Sequence, residues 1–175
     1  MEDQDLITQA RKGDDAAYGQ LVEKYQRGLV RYCYTIVHDA DTAEDIAQET
    51  FIKAYSQLTK YNAAFGFSTW LYKIAHNVAL NNIRKVTTLP LAEDYEIAYV
   101  DQVPEVLERE QREAKVRHAL DGLPVNFRTA VHLHYWEHKT YEEIASVMQV
   151  PDTTVKTWLY RARQQLKEEC HEIIG

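Results

Sequence analysis

Thr140-Tyr-Glu-Glu-Ile-Ala-Ser-Val-Met-Gln-Val-Pro-Asp-Thr-Thr-Val-Lys-Thr-Trp-Leu-Tyr-Arg-Ala-Arg163 is the stretch on which the fold turns. Thr140 and Glu143 have the spacing of a capping box, which opens a short helix with Ile144, Ala145 and Met148 on its inner side. Pro151-Asp152 then starts a second helix with Val155, Leu159, Ala162 and Leu166 inward. So short a break between two amphipathic helices is helix-turn-helix geometry. With Val155 toward the core, a rotation of 100° per residue turns Thr153, Thr157, Tyr160, Arg161 and Gln164 outward and places Lys156 and Arg163 at the edge of that face. Hydroxyl, amide and guanidinium groups hydrogen-bond base edges and phosphates in a major groove, so this face is a candidate duplex reader.

Upstream of this pair, a Gly122-Leu-Pro124 break separates a helix expected over 105–120 from one expected over 126–136. In the first half, Tyr18, Leu21, Val22, Tyr25, Leu29, Tyr32, Ile36 and Val37 recur at three and four, a long helix started by Asp14 or Asp15. Gly19 and Gly28 weaken that helix without breaking its period. Asp41-Thr-Ala-Glu44 has capping-box spacing and opens a helix with Ile46, Ala47, Thr50, Phe51, Ala54, Tyr55 and Leu58, whose other face carries Asp45, Gln48, Glu49 and Lys53. After a loop, Ser68 or Thr69 is expected to cap a helix with Leu71, Ile74, Ala75 and Val78 inward and Thr69, Lys73, His76, Asn77 and Arg84 outward; Leu80 falls on the outward side against the pattern. No strand is predicted, and the fold class is all-α.

The aromatic residues Tyr61, Phe65, Phe67 and Trp70 surround that loop and helix start, beside Lys73, His76 and Arg84. Aromatic faces stack on unpaired bases while cations follow the backbone, a combination suited to single-stranded nucleic acid. Core packing accounts for the same spacing equally well, and at this point both readings stand.

A formal charge of −7 over 175 residues argues against nucleic acid until it is divided. Residues 1–86 carry 10 basic and 11 acidic side chains, 87–112 carry 2 and 7, and 113–175 carry 8 and 9. The excess sits in the middle, where Glu93, Asp94, Glu96 and Asp101 lie between Pro90 and Pro104 and no period survives, as in a flexible linker. Each flank is nearly neutral and can present a local basic face. The expected division is therefore 1–86, a linker over 87–104, and 105–175. The hydrophobic share of 45% supports packed cores. No apolar run approaches membrane length, and the acidic start is unlike a secretion signal, so a cytoplasmic protein with no membrane insertion is expected. Cys33 and Cys170 lack metal or redox spacing and read as reduced, structural thiols.

These residues resemble those of a known family, the extracytoplasmic-function sigma factors of bacterial RNA polymerase. Asp41 to Tyr55 and Phe67-Ser-Thr-Trp-Leu-Tyr-Lys-Ile-Ala-His-Asn77 resemble its region 2 signatures, and Leu123-Pro124 through Arg163 resembles region 4. The resemblance implies two small helical domains, each binding promoter DNA: the first core-binding and melting the minus-10 element, the second a minus-35 reader. It implies that Asp45, Gln48 and Glu49 dock the clamp helices of the largest subunit of core RNA polymerase, whose flap region is a second partner. Tyr61, Asn62, Phe65, Phe67, Ser68, Thr69, Trp70, Lys73, His76, Asn77 and Arg84 would open the minus-10 element and hold a flipped base. Thr153, Thr154, Lys156, Thr157, Tyr160, Arg161, Arg163 and Gln164 would read the minus-35 duplex. The linker would thread toward the RNA channel, and an anti-sigma protein is a further partner the family implies. Four positions depart from the family pattern: Thr153 where Gly is frequent, Trp158 where Arg is frequent, Asn81 where an acid is common, and His138-Lys139 in place of a Gly-containing turn.

Rival readings are few. His132, His134 and His138 could be ligands of a zinc site, but no fourth ligand is near in sequence. No phosphate loop, GxSxG or HExxH is present, so neither an enzyme nor a cofactor is expected. The stronger rival is a stand-alone helix-turn-helix repressor with an N-terminal ligand or dimerisation domain.

Overall fold

The computed structural model describes residues 1–62, 64–87 and 108–170. Helix α1 runs Asp3–Arg11, α2 Asp15–Val37, α3 Ala40–Ser56 and α4 Phe67–Thr87, with a 3-10 turn at Leu58–Lys60. The second half has α5 Glu108–Asp121, α6 Val125–Tyr135, α7 Tyr141–Met148 and α8 Asp152–Glu169. The described residues are helices and connections with no strand. The acidic residues expected to form the linker lie, from position 88 onward, outside the described residues.

The starts of these helices follow local chemistry. Asp14 caps α2 by accepting from the amides of Ala16 and Ala17. Thr140 caps α7 in a full capping box, its hydroxyl accepting from Glu143 N while the Glu143 carboxylate accepts from Thr140 N. The cap expected at Asp41 is instead at Asp39, whose carboxylate takes the Thr42 amide at 2.9 Å as well as its hydroxyl. Those bonds hold its pKa below the ordinary range. Helix α4 begins at Phe67, so Ser68 and Thr69 lie inside the first turn.

Helix α1 was not expected. Leu6, Ile7 and Ala10 bury its inner face against α2, and Arg11 at its end donates to the carbonyls of Leu58 at 2.9 Å and Tyr61 at 2.5 Å. It therefore fixes the start of the aromatic loop. Helices α2, α3 and α4 form the N-terminal bundle around Leu21, Leu29, Tyr32, Cys33, Ala43, Ala54, Leu71 and Ala75. Each fully buried leucine or isoleucine contributes roughly 1.5–3 kcal/mol of transfer free energy, well above the roughly 1 kcal/mol that one mid-helix glycine costs. That difference is why α2 tolerates Gly28.

In the second half α7 and α8 make the helix-turn-helix, with α6 behind α8. The turn works because Gln149 takes the left-handed conformation (φ 56°) and lets Val150 N reach Ala145 O at 3.1 Å. The two halves pack together: α6 lies on α2 and α7 on α4, and one apolar cluster runs from Leu6 through Leu29 and Tyr72 to Ile144 and Ala162.

Candidate nucleic-acid interface

The outward face of α8 is built as its period predicts. Val155, Leu159 and Ala162 are buried, and Thr153, Lys156, Thr157, Tyr160, Arg161 and Gln164 are exposed, with Thr154 half-buried at the first turn. Tyr160 is 62% exposed, an aromatic face held out to solvent. Trp158 packs partly against the apolar cluster, which gives that departure a structural reason. Arg163 is engaged differently from its neighbours. Its Nε donates to the Tyr135 hydroxyl at 2.8 Å and an Nη to that of Tyr141 at 3.5 Å, with the guanidinium over the Tyr135 ring. The Tyr141 bond, then that from Tyr135, raises its pKa. The guanidinium is thereby held against α6 and α7 at the rim of the outward face.

The second group, around the start of α4, divides by burial. Tyr61, Phe67 and Trp70 pack on one another with ring centroids 5.0 to 5.8 Å apart. The Arg11 guanidinium lies 5.7 Å over the Tyr61 ring. Tyr61 and Phe67 are buried and Trp70 is half-buried, whereas Phe65 is 46% exposed and Asn62 is exposed beside it. Of the four aromatics, then, three form the wall and Phe65 supplies the open ring.

Along α4 the face expected to point outward is largely covered. Thr69 is 2% exposed, and its hydroxyl has no hydrogen-bond partner. His76 is buried with its Nδ1 2.8 Å from the Tyr32 hydroxyl, and burial pushes the imidazole down to about 4. Ser68 Oγ accepts from Lys139 Nζ at 2.7 Å, and Asn77 Oδ1 accepts from Gln149 Nε2 at 2.7 Å. Lys73 is half-buried and Arg84 exposed. The outward face exists, but α2, α7 and the turn before α7 lie across much of it. Leu80, the residue that broke the outward pattern, is half-buried.

On α3, Asp45, Gln48 and Glu49 are all exposed, with Glu49 paired to Lys53 at 3.1 Å. One turn further, Ile52 is 71% exposed. Gln48, Phe51 and Ile52 line a groove between α2 and α3 with Val22, Gln26 and Val30. An apolar floor under a polar rim has the makeup of a protein-docking surface.

Of the three histidines considered for zinc, two make other contacts. His132 lies between Thr35 and Glu137, His134 bonds the Lys139 carbonyl, and His138 is exposed in the left-handed region at φ 53°. No group of three or more metal-capable side chains occurs among the described residues. Both cysteines are buried and free, and burial drives the Cys33 thiol up to about 12. Among the described residues no helix is long and apolar enough to cross a membrane.

A helix-turn-helix and a separate aromatic loop on one chain have known relatives. The family described as sigma-70 region 2 matches residues 21–88, and sigma-70 region 4 matches residues 113–166. The RNA polymerase sigma-H factor of Pseudomonas aeruginosa is 36% identical, covering 99% of this chain and 96% of its own length. The chain belongs to the extracytoplasmic-function sigma factors of the sigma-70 family. Another member, SigW of Bacillus subtilis, is 31% identical over 95% of this chain and 96% of its own. In fold, this sigma factor is similar to CnrH in complex with the cytosolic domain of CnrY, at a TM-score of 0.70 and 22% identity over 95% of both chains. It is similar to RpoE of Bartonella quintana in complex with the anti-sigma factor NepR, at 0.69 and 22% over 88% of this chain and 96% of the other. These relatives span both halves of the chain, so the stand-alone repressor reading gives way to an alternative sigma factor that directs transcription.

Region 2 and region 4 are positioned by residues with no clear signal in the sequence. Arg11 fixes the aromatic loop, Ile52 extends the α3 face, and Gly28, Tyr72, Glu137 and Lys139 lie between the two regions. Arg11 and Ile52 had a faint signal: a basic residue closing an apolar triplet, and an apolar residue on a polar face.

Proposed function

We propose that this sigma factor binds core RNA polymerase through Asp45, Gln48 and Glu49, reads the minus-35 duplex with α8, and captures a melted minus-10 base with the loop and helix from Tyr61 to Asn77. The observation that carries this is the exposed row Thr153, Lys156, Thr157, Tyr160, Arg161 and Gln164 on a helix fixed by a capping box and a buried inner face. Such a row offers hydrogen bonds to base edges and charge to phosphates. The aromatic wall of Tyr61, Phe67 and Trp70 with Phe65 open beside it supports stacking on an unpaired base, and unstacking costs a few kcal/mol that stacking can offset.

The working division is region 2 over 1–86, a linker over 87–104 and region 4 over 105–175. The carboxylates of Glu93, Asp94, Glu96 and Asp101 would occupy a polymerase channel shaped for phosphates. Catalysis belongs to the polymerase, and the chain acts in the cytoplasm where that enzyme works. Since relatives of this fold are found with CnrY and NepR, an anti-sigma partner is part of the proposal.

The test is reconstitution. Purified chain added to core polymerase is expected to give discrete run-off transcripts from sheared genomic DNA of its host, and none with core alone. Duplex binding without polymerase at a palindromic site, with no core-dependent transcripts, would return the repressor reading.

A further inference from the structure

The sigma-70 region 2 match begins at residue 21, so α1 lies outside it, yet α1 is tied to the aromatic wall from both of its ends. At its start the Asp3 carboxylate accepts from Lys24 Nζ at 2.6 Å and from the Tyr25 hydroxyl, and the Tyr25 ring lies 5.7 Å from that of Phe67. At its end Arg11 reaches Tyr61. The Arg11 Nε donates to the Leu58 carbonyl at 2.9 Å, an Nη donates to the Tyr61 carbonyl at 2.5 Å, and the guanidinium lies 5.7 Å over the Tyr61 ring. Between these ends Leu6, Ile7 and Ala10 bury α1 against α2, so the helix is a fixed support.

The choice of arginine follows from what it holds. Leu58 and Tyr61 bracket the short turn Leu58–Lys60, and both residues are buried. Carbonyls at the end of a helical turn have no partner further along it, and burial makes an unmet carbonyl costly. The planar fork of a guanidinium presents N–H groups in fixed directions and meets two carbonyls at once, and its charge suits the negative end of the turn. The point charge of a lysine would hold one carbonyl at a time.

The Tyr61 carbonyl is the last backbone group before Asn62, which is exposed, and Phe65 follows at 46% exposed. The Arg11 bond therefore sets where the open part of the aromatic site starts, while the ring it covers packs on Phe67 and Trp70. A base stacks on such a site with full gain only if the rings are already in place, because ordering them on binding takes back part of the stacking energy.

We infer that Arg11 is a positioning residue for minus-10 capture: by holding the Leu58 and Tyr61 carbonyls it keeps the Tyr61, Phe67 and Trp70 wall, with Phe65 beside it, in the geometry that receives an unpaired base. This role rests on the proposed capture of a minus-10 base by that loop and brings α1 into the site. Arg11 acts through Tyr61 and not through a phosphate, since two of its N–H groups are committed to backbone carbonyls.

The test uses holoenzyme made from core polymerase and the full chain, either wild type, Arg11→Gln or Arg11→Lys. Anisotropy reads affinity for a fluorescein-labelled single strand spanning the minus-10 region of a mapped run-off start, and for the same strand with one abasic site placed at each position in turn. At the captured position wild type is expected to lose about tenfold when the base is removed, the scale of one stacked base. Arg11→Gln is expected to bind the intact strand about tenfold more weakly than wild type and the strand abasic at that position equally well, with core affinity unchanged. Arg11→Lys, which keeps the charge and one carbonyl bond, is expected to fall between them, and it carries the same comparison should Arg11→Gln not fold. Equal losses on the intact and abasic strands would mean a phosphate contact and overturn the role. Unchanged binding of the intact strand would also overturn it, and so would a parallel loss of core affinity, which would make Arg11 a support of the region 2 fold alone. If wild type tells the intact strand from the abasic one at no position, it is the minus-10 reading itself that fails, and the role of Arg11 falls with it.

Discussion

His76 and Tyr32 share a hydrogen bond of 2.8 Å between the imidazole Nδ1 and the phenol oxygen, sealed between α2 and α4. Burial holds the imidazole down at about 4, so at neutral pH it is uncharged. In the unfolded chain the same group titrates near 6.5, so between that pH and 4 the unfolded state binds more protons than the folded one. Stability supplied by the neutral ring is therefore full above roughly 6.5 and falls as pH drops toward 4, by roughly 3 kcal/mol in total. Urea unfolding at pH 7.5, 6 and 4.5 is expected to show this loss in wild type and a shallower one in His76→Gln. Parallel curves for the two proteins would contradict the assignment.

Thr69 offers the opposite case, a buried hydroxyl with no hydrogen-bond partner. Valine keeps the shape and removes the unsatisfied group, so Thr69→Val is expected to raise stability by about 1 kcal/mol, seen as a higher thermal midpoint. If Thr69 serves the minus-10 site, the same variant also weakens core-dependent open-complex formation, read by permanganate footprinting. A stabilised variant with unchanged footprints would make Thr69 a core residue only.

How far the sequence carries can be judged from particular residues. Thr140 and Glu143, Val155, Leu159 and Ala162, and the outward row of α8 were all legible because a helix period and a capping box are local properties. The Asp39 cap was missed because Asp41 offers the same chemistry two residues later, and element ends are where such ambiguity falls. Helix α1 was missed because its apolar triplet, Leu6, Ile7 and Ala10, is too short to establish a period. The division of the aromatic cluster was illegible for another reason. Whether Phe67 stacks on a base or packs on Tyr61 depends on Arg11 and α1, far away in sequence. The covering of α4 was likewise invisible, since Gly28, Tyr72 and Glu137 meet only across the two regions. Gly28 read locally as a weak point of α2, and only tertiary contact gives it a purpose.

The α3 face yields a prediction about the polymerase contact. Gln48 and Glu49 are exposed and polar, but Ile52 beside them is 71% exposed over an apolar groove. An apolar anchor within a polar rim typically carries most of an interface's energy. Ile52→Asp is expected to weaken co-purification with core polymerase by at least about tenfold, more than Gln48→Ala with Glu49→Ala, while leaving the thermal midpoint within a few degrees. Retention of core binding by Ile52→Asp would move the contact elsewhere.

Arg161 and Arg163 stand two residues apart on α8 and are expected to differ in kind. Arg161 faces solvent in the outward row, while Arg163 is held by the hydroxyls of Tyr135 and Tyr141. An arginine that neutralises one phosphate contributes about 0.9 to the slope of log affinity against log salt. Arg161→Ala is therefore expected to reduce that slope by about one and weaken holoenzyme binding to a minus-35 duplex taken from a run-off promoter. Arg163→Ala instead removes bonds that tie α8 to α6 and α7, costing about 1 kcal/mol or less of stability because the site is largely exposed, and leaves the salt slope unchanged. Tyr135→Phe, which deletes only the hydroxyl that Arg163 Nε uses, distinguishes the two roles further. If Arg163 acts as a tethered strut, Tyr135→Phe lowers the thermal midpoint slightly and leaves DNA affinity alone. If Tyr135 aims Arg163 at a phosphate, the variant lowers affinity and slope together, and Arg163 joins Arg161 in the reading row.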